Sequence, residues 1–238
     1  MRRNHLLAFI FSTGLLLIFL YNFLGEPSAK ETEAQFQVRI QKERKAKDDF
    51  LKNDAQSPLL PTQKETFEGL AYFPPALAYR IQARLQKLSP PETISLPMSK
   101  GQPETYLRFA KVHFEAQGQS FVLTLLRKTR QDPHLFLVFT DQSSGQSTYG
   151  GGRYLDIPFQ EGQRQVVLDF NQAYNPYCAY NPAYACPLPL PENHLDIRIE
   201  AGEKAFSPSF TFYGAAEEAI SASTRPFLFP VGRVPRGF

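Results

Sequence analysis

YRIQARLQ, residues 79–86, is the stretch whose reading decides the fold. Tyr79, Ile81, Ala83 and Leu85 alternate with Arg80, Gln82, Arg84 and Gln86. A period of two puts one set on each face of an extended chain, which is the pattern of a half-buried strand and not of a helix. The chain that follows keeps this character. Residues 105–115 and 120–127 are β-prone runs split by Ala116-Gln117-Gly118-Gln119, a hairpin signal. Residues 135–140 form a short apolar run expected of a central strand. Runs at 153–157, 165–170 and 195–200 add three strands, the last alternating Leu195, Ile197 and Ile199 with Asp196, Arg198 and Glu200. Residues 206–213 read as a further strand. No helical period occurs between residues 76 and 214. The expected fold class is therefore mainly β, an antiparallel sandwich or partly open barrel over residues 58–214.

Upstream of that domain the character changes. Residues 30–52 are highly charged and hold neither Gly nor Pro. Phe36, Ile40, Arg44, Lys47 and Leu51 share one helical face, which predicts a juxtamembrane helix docked at its last turn through Phe50 and Leu51. A solvated spacer helix is the alternative. Ser57-Pro58 ends it, because a residue before proline avoids the helical region. Residues 25–57 thus make a helix and linker.

The N-terminus reads as a membrane segment. Arg2 and Arg3, within residues 1–5, precede a nearly unbroken apolar run over 6–24. As a helix this run is about 28 Å long, close to the thickness of a hydrocarbon core. Its exit, Phe23-Leu24-Gly25-Glu26-Pro27, has no A-x-A-like cleavage pattern, so an uncleaved signal anchor is expected, with a cleaved peptide as the alternative. Glu26, Lys30, Glu31 and Glu33 follow the run, and the positive-inside rule then keeps residues 1–5 in the cytoplasm. The expectation is a single-pass protein of a bacterial inner membrane whose C-terminal domain faces the periplasm or the outside. Residues 215–238 are a Pro/Gly-rich tail. A formal charge of +3, without a basic stripe, gives no case for nucleic acid.

The most unusual segment is NQAYNPYCAYNPAYACPLPLPEN, residues 171–193. It repeats Ala-Tyr-Asn-Pro at 173–176 and 179–182 and holds both cysteines of the chain. Each Asn-Pro pair extends its Asn and fixes the next φ, so the segment is a stiff irregular strap. Two nearby cysteines and no others, in an oxidising compartment, read as one disulfide between Cys178 and Cys186. A zinc site would have only His194 and Glu192 to complete it, and a Cys nucleophile would need His194 as base with Asn193 to orient it. The tyrosines on the strap are packing material or a binding surface.

A second unusual stretch, TDQSSGQSTYGGGRYLD, spans residues 140–156. Gly150, Gly151 and Gly152 permit close backbone approach by a ligand or by the strap itself. No Lys follows as a phosphate-binding P-loop would require. Arg153 offers a two-pronged fork for a carboxylate or phosphate, or a buried ion pair with Asp141, Asp156, Asp169 or Glu192.

These residues carry a resemblance. FTDQSSGQSTYGGGRYLDIP, VVLDFNQAYNPYCAYNPAYACPLPLPEN and AGEK, with DDFLKNDAQSPL and FEGLAYFPPALAYRI upstream, resemble the signature of a bacterial domain family of unknown function. The resemblance implies a β-rich domain without an assigned activity. Its motif falls on Ser144, Gly145, Tyr149, Gly151, Gly152, Arg153, Tyr154, Asp169, Asn171, Asn175, Cys178, Cys186, Pro187, Glu192 and Asn193.

Two functional readings follow. In the first, the exported domain binds a small ligand or a cell-envelope component. The candidate ligand-binding residues are Tyr149, Arg153, Tyr154, Asp169, Asn171, Tyr174, Asn175, Tyr180, Asn181, Glu192 and Asn193. In the second it is an envelope hydrolase with Asp169 and Glu192 as acid and base. A purely structural envelope role is the third possibility. No cofactor or metal is expected.

Overall fold

The alternation at residues 79–86 opens the longest strand of the sheet. The computed structural model describes residues 31–207. Its strands are β1 (Arg80–Leu96), β2 (Glu104–Ala116), β3 (Gln119–Arg127), β4 (His134–Asp141), β5 (Arg153–Pro158), β6 (Gln165–Asp169) and the two-residue β7 (His194–Leu195). They form one sheet in the order β5-β4-β3-β2-β1-β6, antiparallel throughout, with β7 added parallel to the end of β4. The sheet curls into a nearly closed barrel, so of the two architectures expected it is the barrel that forms.

Sequence explains most of this directly. Ala83 and Leu85 point into the core while Arg80, Gln82, Arg84 and Gln86 are exposed. Leu123, Leu125, Leu135, Leu137, Phe139, Leu155, Ile157, Val166 and Leu168 fill the interior from the other strands, at the spacing of two that a pleated sheet requires. The β2–β3 hairpin turns on Gln117 and Gly118, both with positive φ, as tight hairpin turns demand. Pro90 and Pro91 sit where the β1–β2 register breaks between Lys87 and Glu92, a place where a missing N–H costs no ladder bond.

One strand expectation needs correction. Residues 195–200 do not form a strand beyond Leu195, although Leu195, Ile197 and Ile199 are buried as their alternation implied. The backbone there bonds to other groups: Ile197 O accepts from Gln142 N at 3.0 Å and Ile199 N donates to Asp141 Oδ1 at 3.3 Å. The alternation of burial survives without a strand, and the chain bends at Asp196 and Ile197.

The chain divides into two compact units, Met1–Lys45 and Ala46–Phe238. The helix expected over 30–52 is α1 (Glu33–Asn53), which crosses that boundary. In the first unit Thr32 and Gln35 cap the helix reciprocally, Gln35 N donating to Thr32 Oγ1 and Thr32 N to Gln35 Oε1. In the second unit its last turn docks as expected, Leu51 and Phe50 packing with Leu59, Phe67, Leu70 and Tyr180. A short helix, α2 (Pro61–Thr66), follows with Pro61 in its first turn. Among the described residues no helix is long and apolar enough to cross a membrane. The apolar run 6–24 and the tail 215–238 lie outside the described residues, as does nearly all of the strand expected at 206–213.

Candidate functional site

The strap begins where β6 ends. Asp169 Oδ1 accepts from the backbone N (3.2 Å) and the side-chain Nδ2 (2.8 Å) of Asn171. The Asn171 amide in turn clamps Ala76, accepting from its N–H at 2.9 Å and donating to its carbonyl at 3.0 Å. Three residues on, Tyr174 exchanges two backbone hydrogen bonds with Tyr154 of β5, at 2.8 and 2.9 Å. The first turn of the strap therefore bridges the two edges of the sheet and completes the barrel.

Beyond Tyr174 the strap stays on this edge. Tyr154 Oη donates to Pro187 O at 2.6 Å, and Cys186 and Leu188 bond to Ser99 and Pro97. Gly152 lies beneath it. A Cβ at this position would come within 2.7 Å of both Pro189 Cγ and Phe139 O, and its φ of +90° is one that side-chain-bearing residues avoid. The glycine run thus serves close packing of the strap, one of the two uses expected of it.

Arg153 does not face a ligand. It is fully buried, and its two terminal nitrogens bond to Asp141 Oδ2 (2.8 Å), Ile199 O (2.9 Å), Ala201 O and Glu203 O (3.4 Å), while its Nε has no hydrogen-bond partner. Burial pulls the guanidinium down from its ordinary value, and the adjacent Asp141 carboxylate opposes that pull. Asp141 spends its other oxygen on the backbone N–H groups of Ser143 and Ile199, which pins the 141–148 loop. The ion-pair reading of Arg153 is the one the structure supports.

The cysteines, expected as a disulfide, are both free thiols in this structure. They are neighbours all the same: Cys178 N donates to Cys186 Sγ at 3.1 Å. Tyr149 Oη lies 3.8 Å from Cys178 Sγ. Burial pushes the Cys186 thiol up to about 12, and burial with the Cys178 contact pushes Tyr149 up to about 12. A Cys186 thiol held protonated is a poor nucleophile. His194 is bonded through Nδ1 to Thr140 Oγ1 at 2.9 Å. Among the described residues no three His, Cys, Asp or Glu side chains are grouped to hold a metal.

The remaining candidates do not converge on one groove. Asn193 is buried and staples β3 to β4 through the backbone of Thr124 and Val138. Asn181 donates to Pro58 O at 3.0 Å. Glu192 pairs with Arg108 (3.2 Å) and Lys111 (3.9 Å) and accepts from Thr124 Oγ1, on β2 and β3. Asp169 pairs with Arg80 of β1 at 3.7 Å. The two carboxylates expected as acid and base are ion-paired on different strands, Asp169 on β1 and Glu192 on β2.

What converges is a cluster around Glu203, which sequence reasoning quoted within AGEK but did not place in a site. Glu203 is 1 % exposed. Its Oε2 accepts from Tyr180 Oη (2.5 Å) and from Asn175 N (2.8 Å), and its Oε1 is ion-paired with Lys47 Nζ. The Lys47 ammonium stands 4.6 Å from the centroid of the Tyr174 ring, whose hydroxyl donates to Asp156 Oδ2 at 2.7 Å. Burial raises Tyr180 well above its ordinary value, with Glu203 adding to the shift; burial and Asp156 raise Tyr174. Asn175 is fully buried, donates Nδ2 to Lys204 O at 2.8 Å, and keeps an Oδ1 without a hydrogen-bond partner. A buried, vacant acceptor beside a buried carboxylate is expensive unless something else uses it. The signal for this cluster was Lys47 itself, a cation on the same helical face as Phe36, Ile40 and Leu51.

Gly202 sets the position of Glu203. With φ +76°, it brings its Cα so close to the strap that an added Cβ would lie 2.4 Å from Ala173 O. Glu203 N then donates to that same carbonyl at 2.9 Å.

The family model described as "Protein of unknown function (DUF1684)" matches residues 65–204, which hold the whole sheet, the strap and Glu203. A solution NMR structure of an uncharacterized protein from Haloarcula marismortui is 34% identical, covering 72% of this chain and 95% of its own, with a TM-score of 0.59. No curated protein matches the chain.

Proposed function

This chain belongs to the DUF1684 family of proteins of unknown function, and from that premise we propose that it is a membrane-tethered binding domain. Residues 6–24 anchor it in the inner membrane, and the barrel faces the periplasm. Its ligand is a small molecule or an envelope component, recognised at the cluster of Lys47, Tyr174, Asn175, Tyr180 and Glu203. The observation that carries this reading is the buried Asn175 Oδ1 without a partner, next to a carboxylate already gathered by Tyr180 and Lys47. Convergent polar groups against aromatic walls are the usual form of a small-molecule site. Hydrolysis by Asp169 and Glu192 is disfavoured by their separate partners.

Native mass spectrometry of the full chain, purified in mild detergent from its own membranes, tests the reading. A bound small molecule or envelope fragment is expected in the wild type and is expected to be lost from Glu203→Gln. Ligand retained at full occupancy by that variant would place recognition elsewhere. A C-terminal alkaline phosphatase fusion is expected to be active, and activity only from a cytoplasmic reporter would overturn the export.

In an exported domain the thiol pair is oxidised. Cys178 and Cys186 exchange two S–H bonds for one S–S bond, releasing two protons and passing two electrons to an acceptor disulfide of an envelope oxidase. So small a ring stabilises the domain by about 2.5 kcal/mol in the chain-entropy picture. Protein taken from the envelope is expected to be two hydrogens lighter than after reduction, and to unfold at lower denaturant once reduced. Equal masses would remove the disulfide.

A further inference from the structure

Resting on that binding reading, we propose that the Glu203 cradle is a site for a primary ammonium group on a ligand that carries a second hydrogen-bond donor, with Lys47 as the chain's own occupant. The cradle has the parts that ammonium recognition uses. A buried carboxylate supplies charge, and the Tyr174 ring supplies an aromatic face. The surroundings carry an excess of acid: Asp48 feels the Glu203 carboxylate, and Asp156 accepts from Tyr174. Arg153 adds a positive charge nearby, but its two terminal nitrogens are taken by Asp141 and three carbonyls.

Lys47 fits this cradle incompletely. Its ammonium has three donors, and it satisfies Glu203 Oε1 while Asn175 Oδ1 goes unused. Its side chain is 27% exposed against 2% for that of Glu203, so solvent reaches part of the lysine. Because Lys47 is tethered, it competes at an effective concentration in the millimolar range. A simple alkylammonium has no advantage over it. An amino alcohol or a diamine does, since its second donor reaches the acceptor that Lys47 leaves vacant. Amines of that kind are the ligand class to which the chemistry points.

The test uses the full chain in detergent micelles, as wild type and as Lys47→Met, which keeps most of the apolar stem and removes the charge. The probes are ethanolammonium and ethylammonium chlorides, with sodium chloride and 1-propanol as controls. Lys47→Met is expected to melt lower than wild type, and ethanolammonium is expected to restore roughly half or more of the lost Tm in a saturable manner. Ethylammonium should restore less, and the controls nothing beyond their effect on wild type. Adding Glu203→Gln should abolish the recovery.

Recovery equal to that with sodium chloride, or unchanged by Glu203→Gln, overturns the proposal. Should Lys47→Met fail to fold, ring-labelled tyrosine NMR of the wild type decides. Ethanolammonium must shift Tyr174 and Tyr180 and leave Tyr106 still, and unmoved Tyr174 and Tyr180 signals overturn it. A co-purified ligand without an amine, together with no recovery, discards the amine assignment and leaves the binding reading standing. Recovery with no co-purified ligand supports the cradle and counts against the binding role.

Discussion

Replacing Arg153 with alanine is expected to cost about 3–5 kcal/mol, enough to unfold much of a domain of ordinary stability. The loss does not come from the ion pair as such, since a buried pair is worth little against an apolar replacement. It comes from what is left behind. Asp141 is 2% exposed and would keep its charge with no cation beside it. The carbonyls of Ile199, Ala201 and Glu203 would lose their shared donor at the same time. Those carbonyls belong to a segment outside the main strands that is bridged to Tyr72 at Glu203, and Arg153 supplements that backbone pairing. Arg153→Lys should recover only part of the loss, because one ammonium cannot reproduce a planar fork that reaches a carboxylate and several carbonyls. Denaturant unfolding of the three proteins measures this. A loss below about 1 kcal/mol for Arg153→Ala would mean that the 199–203 segment is held by other contacts.

Gly202→Ala is the second change of large effect. The left-handed backbone costs a side-chain-bearing residue about 1–2 kcal/mol, and forcing atoms into a packed site costs about 1–3 kcal/mol more. Here the obstacles are the backbone oxygens of Ala173 (2.4 Å) and Phe170 (2.8 Å), which no rotamer change can clear. Relief requires the 201–203 segment to lift from the strap, and Glu203 moves with it. The variant should therefore lose both stability and the Lys47–Glu203 pair. Thermal melting reports the first. The Lys47 ammonium resonance, which should revert to that of a solvent-exposed lysine, reports the second. Wild-type stability in Gly202→Ala would contradict the close approach of these two segments.

How far the sequence carried this description depends on the range of each contact. The alternation at 79–86, the turn at 117–118 and the helix expected over 30–52 are local patterns, and each was legible; the helix stops at Asn53, ahead of the Ser57-Pro58 expected to end it. The burial of Ile197 and Ile199 was legible too, but their missing strand was not. Period-two alternation reports which side faces the core and is silent on whether a neighbour pairs. Barrel closure rests on a single bridge between Tyr154 and Tyr174, and one pair leaves no period to read. Arg153 with Asp141 stood among the partners expected. The Lys47–Glu203 pair did not, because the helix and the 201–203 segment meet only through the fold. The scattering of Asp169 and Glu192 has the same origin: both lie in the Tyr/Pro-rich neighbourhood of the sequence, yet the first pairs with Arg80 on β1 and the second with Arg108 and Lys111 on β2.

The central claim is that the strap is structural closure of the barrel, so that the cluster it carries is held as rigidly as the sheet. Native-state hydrogen exchange tests it at named amides. Tyr154 N and Tyr174 N bond to each other's carbonyls, and Glu203 N bonds to Ala173 O. These three amides are predicted to exchange as slowly as that of Leu137, which pairs with Leu155 between β4 and β5, through global unfolding alone. Exchange at the rate of an exposed loop, while Leu137 stays protected, would show the strap detached from the barrel and would contradict the account.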